Sequence, residues 1–181
     1  MKSDDVTKFE QVYQGESDAI FRFCLVRVSN REQALDITQE TFLRMWQTML
    51  DGKEIFNDRA FLFTVARRLI IDWYRKKKSF SLEGMMSQDE KTEYDPPDPK
   101  TEDLIDVGAE ARYLLEKIAD LSEGYREAVY LHHVEDLSPG EIGGILGISA
   151  NAASVRVNRG MAELRKIYGC TSEGDEFLSH K

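Results

Sequence analysis

Apolar positions recur at three- and four-residue spacing along much of the chain, the periodicity of helices that bury one face. Val6, Phe9, Val12 and Tyr13 form a first run and Ala19, Ile20, Phe23, Cys24 and Val28 a second, and Gly15 between them predicts two short helices. Asn30, with Gln33 three residues later, marks a helix start, and Ala34, Ile37, Thr41, Met45 and Met49 predict its buried stripe before Asp51-Gly52 stops it. Another helix is predicted from about Arg59 to Lys77, burying Phe61, Thr64, Val65, Leu69 and Ile71. From Ser79 to Thr101 the periodicity disappears, and Tyr94-Asp95-Pro96-Pro97-Asp98-Pro99 continues neither a helix nor a central strand. It returns with Leu104, Ala111, Leu114, Leu115 and Ile118, and again with Ala128, Val129, Leu131 and His132 after Ser122. The expected fold class is all-α: two small helical domains at residues 1–79 and 104–169, a flexible linker at 80–103, and a polar tail at 170–181.

Leu137 to Gly160 is the most specific stretch. Ser138, Pro139 and Glu141 spell a capping box with proline in the first turn, so a helix starts there. Ile142, Ile145 and Leu146 follow at helical spacing, Gly147 suits a left-handed turn, Ile148 plugs the corner and Ser149 caps a second helix. This is the pattern of a helix-turn-helix, whose second helix needs short side chains near its start and cations beyond. Ser149, Asn151, Ser154, Arg156 and Arg159 supply that chemistry, with Ala150, Ala152 and Ala153 keeping the helix slim. The plainer alternative is a helical hairpin with a solvated basic face. Gly143-Gly144 inside the first helix weighs against neat packing, at about 1 kcal/mol per glycine.

Composition narrows the class. The 181 residues are 41% hydrophobic, enough for one or two packed cores. Cys24 and Cys170 are far apart and show no CxxC or Cys-His spacing, and the adjacent His132 and His133 diverge on a helix, so no metal or disulfide framework is expected. No Ser-His-Asp, phosphate-loop or paired-carboxylate pattern stands out, so neither a catalytic residue nor a cofactor is expected. No apolar stretch reaches about 18 residues, and the start carries no signal core, so the expectation is a cytoplasmic protein without membrane insertion.

The net charge of −9 hides a strong asymmetry. Arg59, Arg67, Arg68, Arg75, Lys76, Lys77 and Lys78 face only Asp72 within one helix-length segment, whereas Glu83 to Glu110 holds ten acids against Lys91 and Lys100. The basic stretch RAFLFTVARRLIIDWYRKKK also interleaves Phe63, Trp73 and Tyr74, the mixture that grips phosphates while stacking unpaired bases. The bland reading is a core face plus a cationic helix end favoured by the macrodipole.

These residues carry a family resemblance. QALDITQETFLRMWQ, Gln33 to Gln47, resembles the polymerase-clamp-binding helix of sigma-70 family initiation factors, and RAFLFTVARRLIIDWYRKKK resembles their promoter-melting helix. Leu121 to Leu164 is similar to their domain that reads the upstream promoter element, and the two-domain format is that of the extracytoplasmic-function (ECF) group. The resemblance implies that Asp36, Gln39, Glu40 and Arg44 face the β′ clamp of core RNA polymerase. It implies that the loop from Gly52 to Asp58 and the following helix, with Asn57, Arg59, Arg67, Arg68, Trp73, Arg75 and Lys76, hold the melted downstream element. The second domain would read upstream promoter DNA beside the β flap, and an anti-sigma factor would be a controlling partner. The chain departs from the pattern at Arg68, where the family often has Asn, and at Ser154, where Lys is common.

Three functions compete on the sequence. The first is a transcription initiation factor that binds core polymerase and directs promoter recognition and melting without catalysing a reaction. The second is a helix-turn-helix regulator with an N-terminal sensing or partner domain, binding palindromic duplex unaided. The third, a recombinase or transposase, needs a catalytic serine or acidic triad on a βα fold that the N-terminal half does not offer.

Overall fold

A computed structural model describes residues 3–82, 117–118 and 120–168, and all six elements among them are helices: α1 Ser3–Val28, α2 Arg31–Leu50, α3 Asp58–Leu82, α4 Glu123–His133, α5 Pro139–Leu146 and α6 Ala150–Ile167. The predicted linker beyond residue 82, the tail with Cys170, and the expected run from Leu104 to Ile118 up to residue 116 lie outside the described residues, and Ile118 itself is buried as expected. Two compact units emerge. One contains α1 to α3, and the other contains α4, α6 and the residues of α5 up to Gly143.

In the N-terminal unit α1, α2 and α3 all pack on one another. The two short helices expected around Gly15 are one continuous helix of 26 residues. Gly15 is exposed with open space beside it. Its cost of about 1 kcal/mol is outweighed because the segment before it is tied to α2 by aromatic contacts. The Phe9 ring meets Trp46 at 5.0 Å and Phe42 at 6.3 Å, and Tyr13 meets Phe42 at 4.8 Å. Beyond Gly15, Ile20, Phe23, Cys24 and Leu25 are essentially inaccessible.

α2 starts as expected, with the Asn30 side chain accepting from the Gln33 amide at 2.8 Å. It buries Ala34, Ile37, Thr41 and Met45, and the hydroxyls of Thr38 and Thr41 donate to carbonyls one turn back at 2.7 Å. Gly52, at φ +70°, takes the left-handed conformation that ends the helix region.

α3 runs five residues past the predicted Lys77, and its buried stripe is rotated from the predicted one. Leu62, Phe63, Ala66 and Ile70 are fully buried with Val65, whereas Phe61, Thr64, Leu69 and Ile71 are half-buried. Between Ala60 and Ile71 almost every residue is apolar, so periodicity leaves the phase open and packing against both α1 and α2 sets it. Phe63 meets Phe23 edge to face at 5.2 Å, and the Tyr74 hydroxyl donates to the Arg27 carbonyl at 2.6 Å.

The C-terminal unit is built on local signals and small residues. The capping box is complete: Ser138 Oγ accepts from the Glu141 amide, and the Glu141 carboxylate accepts from the Ser138 amide at 2.8 Å. Gly147 turns the chain at φ +70°, and the Ser149 hydroxyl accepts from the Ala152 amide at 3.1 Å to start α6. Gly143 in α5 and Gly160 in α6 have packing reasons, whereas Gly144 has open space beside it. A Cβ at Gly143 would lie 2.8 Å from the Ile148 carbonyl oxygen, and one at Gly160 would lie 2.6 Å from Val129 Cγ2 on α4. The glycine cost noted at Gly143 therefore accompanies the close approach of the turn. The buried Tyr130 hydroxyl donates to the buried Glu135 carboxylate at 2.9 Å, so this acid enters the core with a partner.

Candidate nucleic-acid and protein interfaces

On α6 the inward face is set by Ala153, Val157, Gly160 and Leu164, a spacing of four, three and four residues. A period of 3.6 then places Asn151, Val155, Asn158 and Arg159 on the opposite face, and all four are exposed. Of the predicted upstream-reading residues, Asn151 and Arg159 share this face. Ser149 accepts the capping hydrogen bond at the helix start, and Ser154 is half-buried at the edge. Arg156 is half-buried and lies over α4, where a Cβ on Gly124 would be 3.6 Å from its Nη1. Val155 and Asn158 stand on this face outside the predicted set, and the four-residue step from Asn151 to Val155 to Arg159 is the sequence signal for the first of them.

The downstream-element candidates divide likewise. Arg68, Arg75 and Lys76 are exposed, with Arg67 half-buried beside them. Asn57 accepts from the Ala60 amide at 2.8 Å and so starts α3, while the Arg59 guanidinium lies 3.4 Å from Glu16 and over the Phe63 ring at 5.7 Å. Both hold the loop and helix start in place. Trp73 is half-buried, edge to face with Tyr74 at 4.5 Å and under the Lys77 ammonium at 5.1 Å. Phe56, in the loop before α3, is 91% exposed. The sequence reading named that loop without naming this side chain; an aromatic inside a nonperiodic charged segment was its signal.

On α2, Asp36 and Gln39 are exposed, and Glu40 pairs with Arg44 one turn on at 2.8 Å. Leu43 projects from the same outward face at 48% exposure, an apolar centre among polar neighbours that lies outside the predicted set. A groove of about 520 Å³ separates α2 from α3, and it brings the two predicted sets together: Asp36, Glu40 and Arg44 line it with Trp73, Arg75 and Lys76. No sequence spacing predicts that juxtaposition. Opposite charges face across it, acids mainly from α2 and cations mainly from α3.

Among the described residues no cluster of three or more His, Cys, Asp or Glu is arranged to hold a metal, and no helix is long and apolar enough to cross a membrane. Burial pushes the Cys24 thiol up to about 12, against smaller opposite effects of a Thr38 hydrogen bond and the Arg27 charge.

Both units have counterparts among known proteins. Residues 12–80 match the family model of sigma-70 region 2, and residues 111–164 that of sigma-70 region 4. The ECF RNA polymerase sigma factor SigW of Bacillus subtilis is 30% identical over 174 residues, covering 92% of this chain and 91% of that protein. The ECF RNA polymerase sigma factor SigL of Mycobacterium tuberculosis is 28% identical over 159 residues, covering 85% of each chain. In fold, the chain is similar to the sigma factor RpoE from Bartonella quintana, solved with the anti-sigma factor NepR, at a TM-score of 0.64 and 20% identity over 90% of this chain and 98% of that one. It is also similar to CnrH, solved with the cytosolic domain of CnrY, at a TM-score of 0.59 and 21% identity over 91% of this chain and 89% of that one. With both regions matched in order and a relative at this identity spanning nearly its whole length, the chain belongs to the extracytoplasmic-function group of sigma-70 family RNA polymerase sigma factors.

Proposed function

We propose that this chain is a promoter-specificity subunit that docks on core RNA polymerase through α2, holds melted DNA with the loop before α3 and α3 itself, and reads an upstream duplex element with α6. The observation that carries this reading is the groove between α2 and α3, which sets the polymerase-facing and strand-holding side chains on facing walls. Docking of one wall then positions the other. Leu43 supplies the apolar centre of the docking face, with Asp36, Gln39, Glu40 and Arg44 around it. Phe56 and Trp73 supply surfaces for unpaired bases, and Arg67, Arg68, Arg75 and Lys76 the phosphate contacts. Asn57 and Arg59 position the loop.

The proposed functional divisions are an N-terminal domain over residues 1–79, an acidic linker over 80–103, a promoter-reading domain over 104–169 and a tail over 170–181. The chain itself performs no bond chemistry; polymerase supplies the nucleotidyl transfer, and the site of action is the cytoplasm. An anti-sigma factor is the proposed controlling partner, a reading supported by the similar fold of a sigma factor solved with one.

The test reverses charge at Asp36 and Glu40, both at the polymerase-facing wall of the groove. Full-length protein mixed with core polymerase should co-purify with it and yield run-off transcripts from the gene's own upstream region, while the double variant Asp36→Lys, Glu40→Lys should lose both. Wild-type yield of the variant complex would remove the docking assignment. A nanomolar, salt-resistant complex of the chain alone with palindromic duplex would point instead to an autonomous helix-turn-helix regulator.

A further inference from the structure

We infer that Val155 is a specificity-determining residue of α6, reading the 5-methyl group of a thymine in the upstream promoter element. This deepens, and rests on, the reading of α6 as the helix that enters duplex DNA. A single exposed aliphatic side chain ordinarily needs no explanation. The position of this one is what makes it informative. Val155 is 38% exposed and lies directly opposite the buried stripe of Ala153, Val157, Gly160 and Leu164. It stands one turn after Asn151 and one turn before Arg159, both exposed on the same face. An aliphatic side chain at the centre of a polar, DNA-facing row meets one apolar feature in the major groove, the thymine methyl. Placed there, valine favours thymine by contact and disfavours the other bases, whose polar edges it leaves without a partner.

The neighbouring polar residues lie away from the centre of this face. Arg156 is drawn back over Gly124 on α4, Ser154 is half-buried at the edge, and Ser149 accepts the capping bond. Their placement suits phosphate contact or helix positioning, which carries no base information. The central row for base edges is therefore Asn151, Val155, Asn158 and Arg159, with an apolar reader inside it.

The test uses holoenzyme assembled from the full chain and core polymerase. Promoter duplexes with a randomised upstream element are selected for binding, and each thymine of the selected element is then replaced by deoxyuridine, which removes the methyl and keeps the base pair. At one thymine the replacement should weaken wild-type binding by about fourfold, the equilibrium equivalent of burying one methyl-sized group. Val155→Ala should lose about the same on unmodified DNA and be indifferent to the replacement there. Val155→Thr, which keeps a methyl at that position, should remain sensitive. Equal yields of variant holoenzyme show that the chains are folded. An element without thymine, thymines that are all indifferent for the wild type, or a Val155→Ala variant that keeps the sensitivity would overturn the assignment. Failure to enrich any upstream sequence would instead overturn the reading of α6 itself, and with it the role given to Val155.

Discussion

The two units carry different surfaces, and the difference follows from how each is packed. The N-terminal unit is held by aromatic contacts, with Phe23 against Phe63 and Phe9 against Trp46, and its surface chemistry is also aromatic, at the exposed Phe56 and the half-buried Trp73 among cations. Large flat side chains at the surface of a basic helix suit bases that have left the stack. The C-terminal unit is held by aliphatic side chains and by glycine at close approaches, and α6 shows a narrow row of Asn151, Val155, Asn158 and Arg159. A slim helix with short side chains suits the edge of an intact groove. On the proposed reading one chain carries a surface for strands and a surface for duplex, each in its own unit.

The strongest way to break this comparison is through the cores. Phe23→Ala should cost about 3–5 kcal/mol of stability. Both tryptophans, Trp46 and Trp73, belong to the N-terminal unit, so fluorescence follows that unit specifically. The tryptophan-detected denaturation midpoint should fall sharply in Phe23→Ala. Gly160→Ala, whose new Cβ would stand 2.6 Å from Val129 Cγ2, should cost about 1–3 kcal/mol. That loss should appear in the helical circular-dichroism transition and leave the tryptophan-detected one in place. Coincident loss by both probes in both variants would mean that the units fold as one body.

A smaller effect sharpens the chemical contrast. Trp73→Ala should weaken holoenzyme binding to a pre-melted promoter by about 1–3 kcal/mol, the range for one base on one aromatic ring, and leave affinity for a duplex carrying only the upstream element unchanged. Permanganate footprinting and a duplex binding assay separate the two. Equal losses on both substrates would show that Trp73 serves the core rather than the strand.

The smallest effect concerns the thiol beneath these surfaces. Because burial holds Cys24 protonated up to about 12, the unfolded chain ionises first as pH rises. The stability this group contributes is therefore full below the unfolded value and is lost as pH climbs toward 12. At pH 8, in a Cys170→Ser background, Cys24 should be alkylated only as fast as the unit opens, and Phe23→Ala should raise that rate. Immediate modification of the intact protein, read by mass spectrometry, would place the thiol at the surface.

Much of the C-terminal unit is legible because its determinants are local. The Ser138 and Glu141 box, the left-handed Gly147 and the Ser149 cap, like the Asn30 cap of α2 in the N-terminal unit, are hydrogen bonds or dihedrals closed within four residues, so sequence order already contains them. The charge division between α3 and the segment after it is a property of composition, and so is the interleaving of aromatics with arginines. Elsewhere the deciding partner is distant in sequence. Gly15 stays helical because Phe9 and Tyr13 find rings on α2, and the phase of α3 is chosen by Phe23 and by the Arg27 carbonyl that receives Tyr74. The groove that unites Asp36, Glu40 and Arg44 with Trp73, Arg75 and Lys76, and the placement of Arg156 over Gly124 that leaves Val155 at the centre of its face, likewise depend on packing between helices. Sequence by itself determined where the capped helices begin, where Gly52 and Gly147 turn the chain, and what chemistry each helix carries, but not the continuity of α1 through Gly15 or the end of α3. The buried stripe of α2 was legible, but only tertiary structure decided the buried face of α3 and which side chains meet, because a helix with apolar residues on several sides has no phase until a neighbour covers one of them.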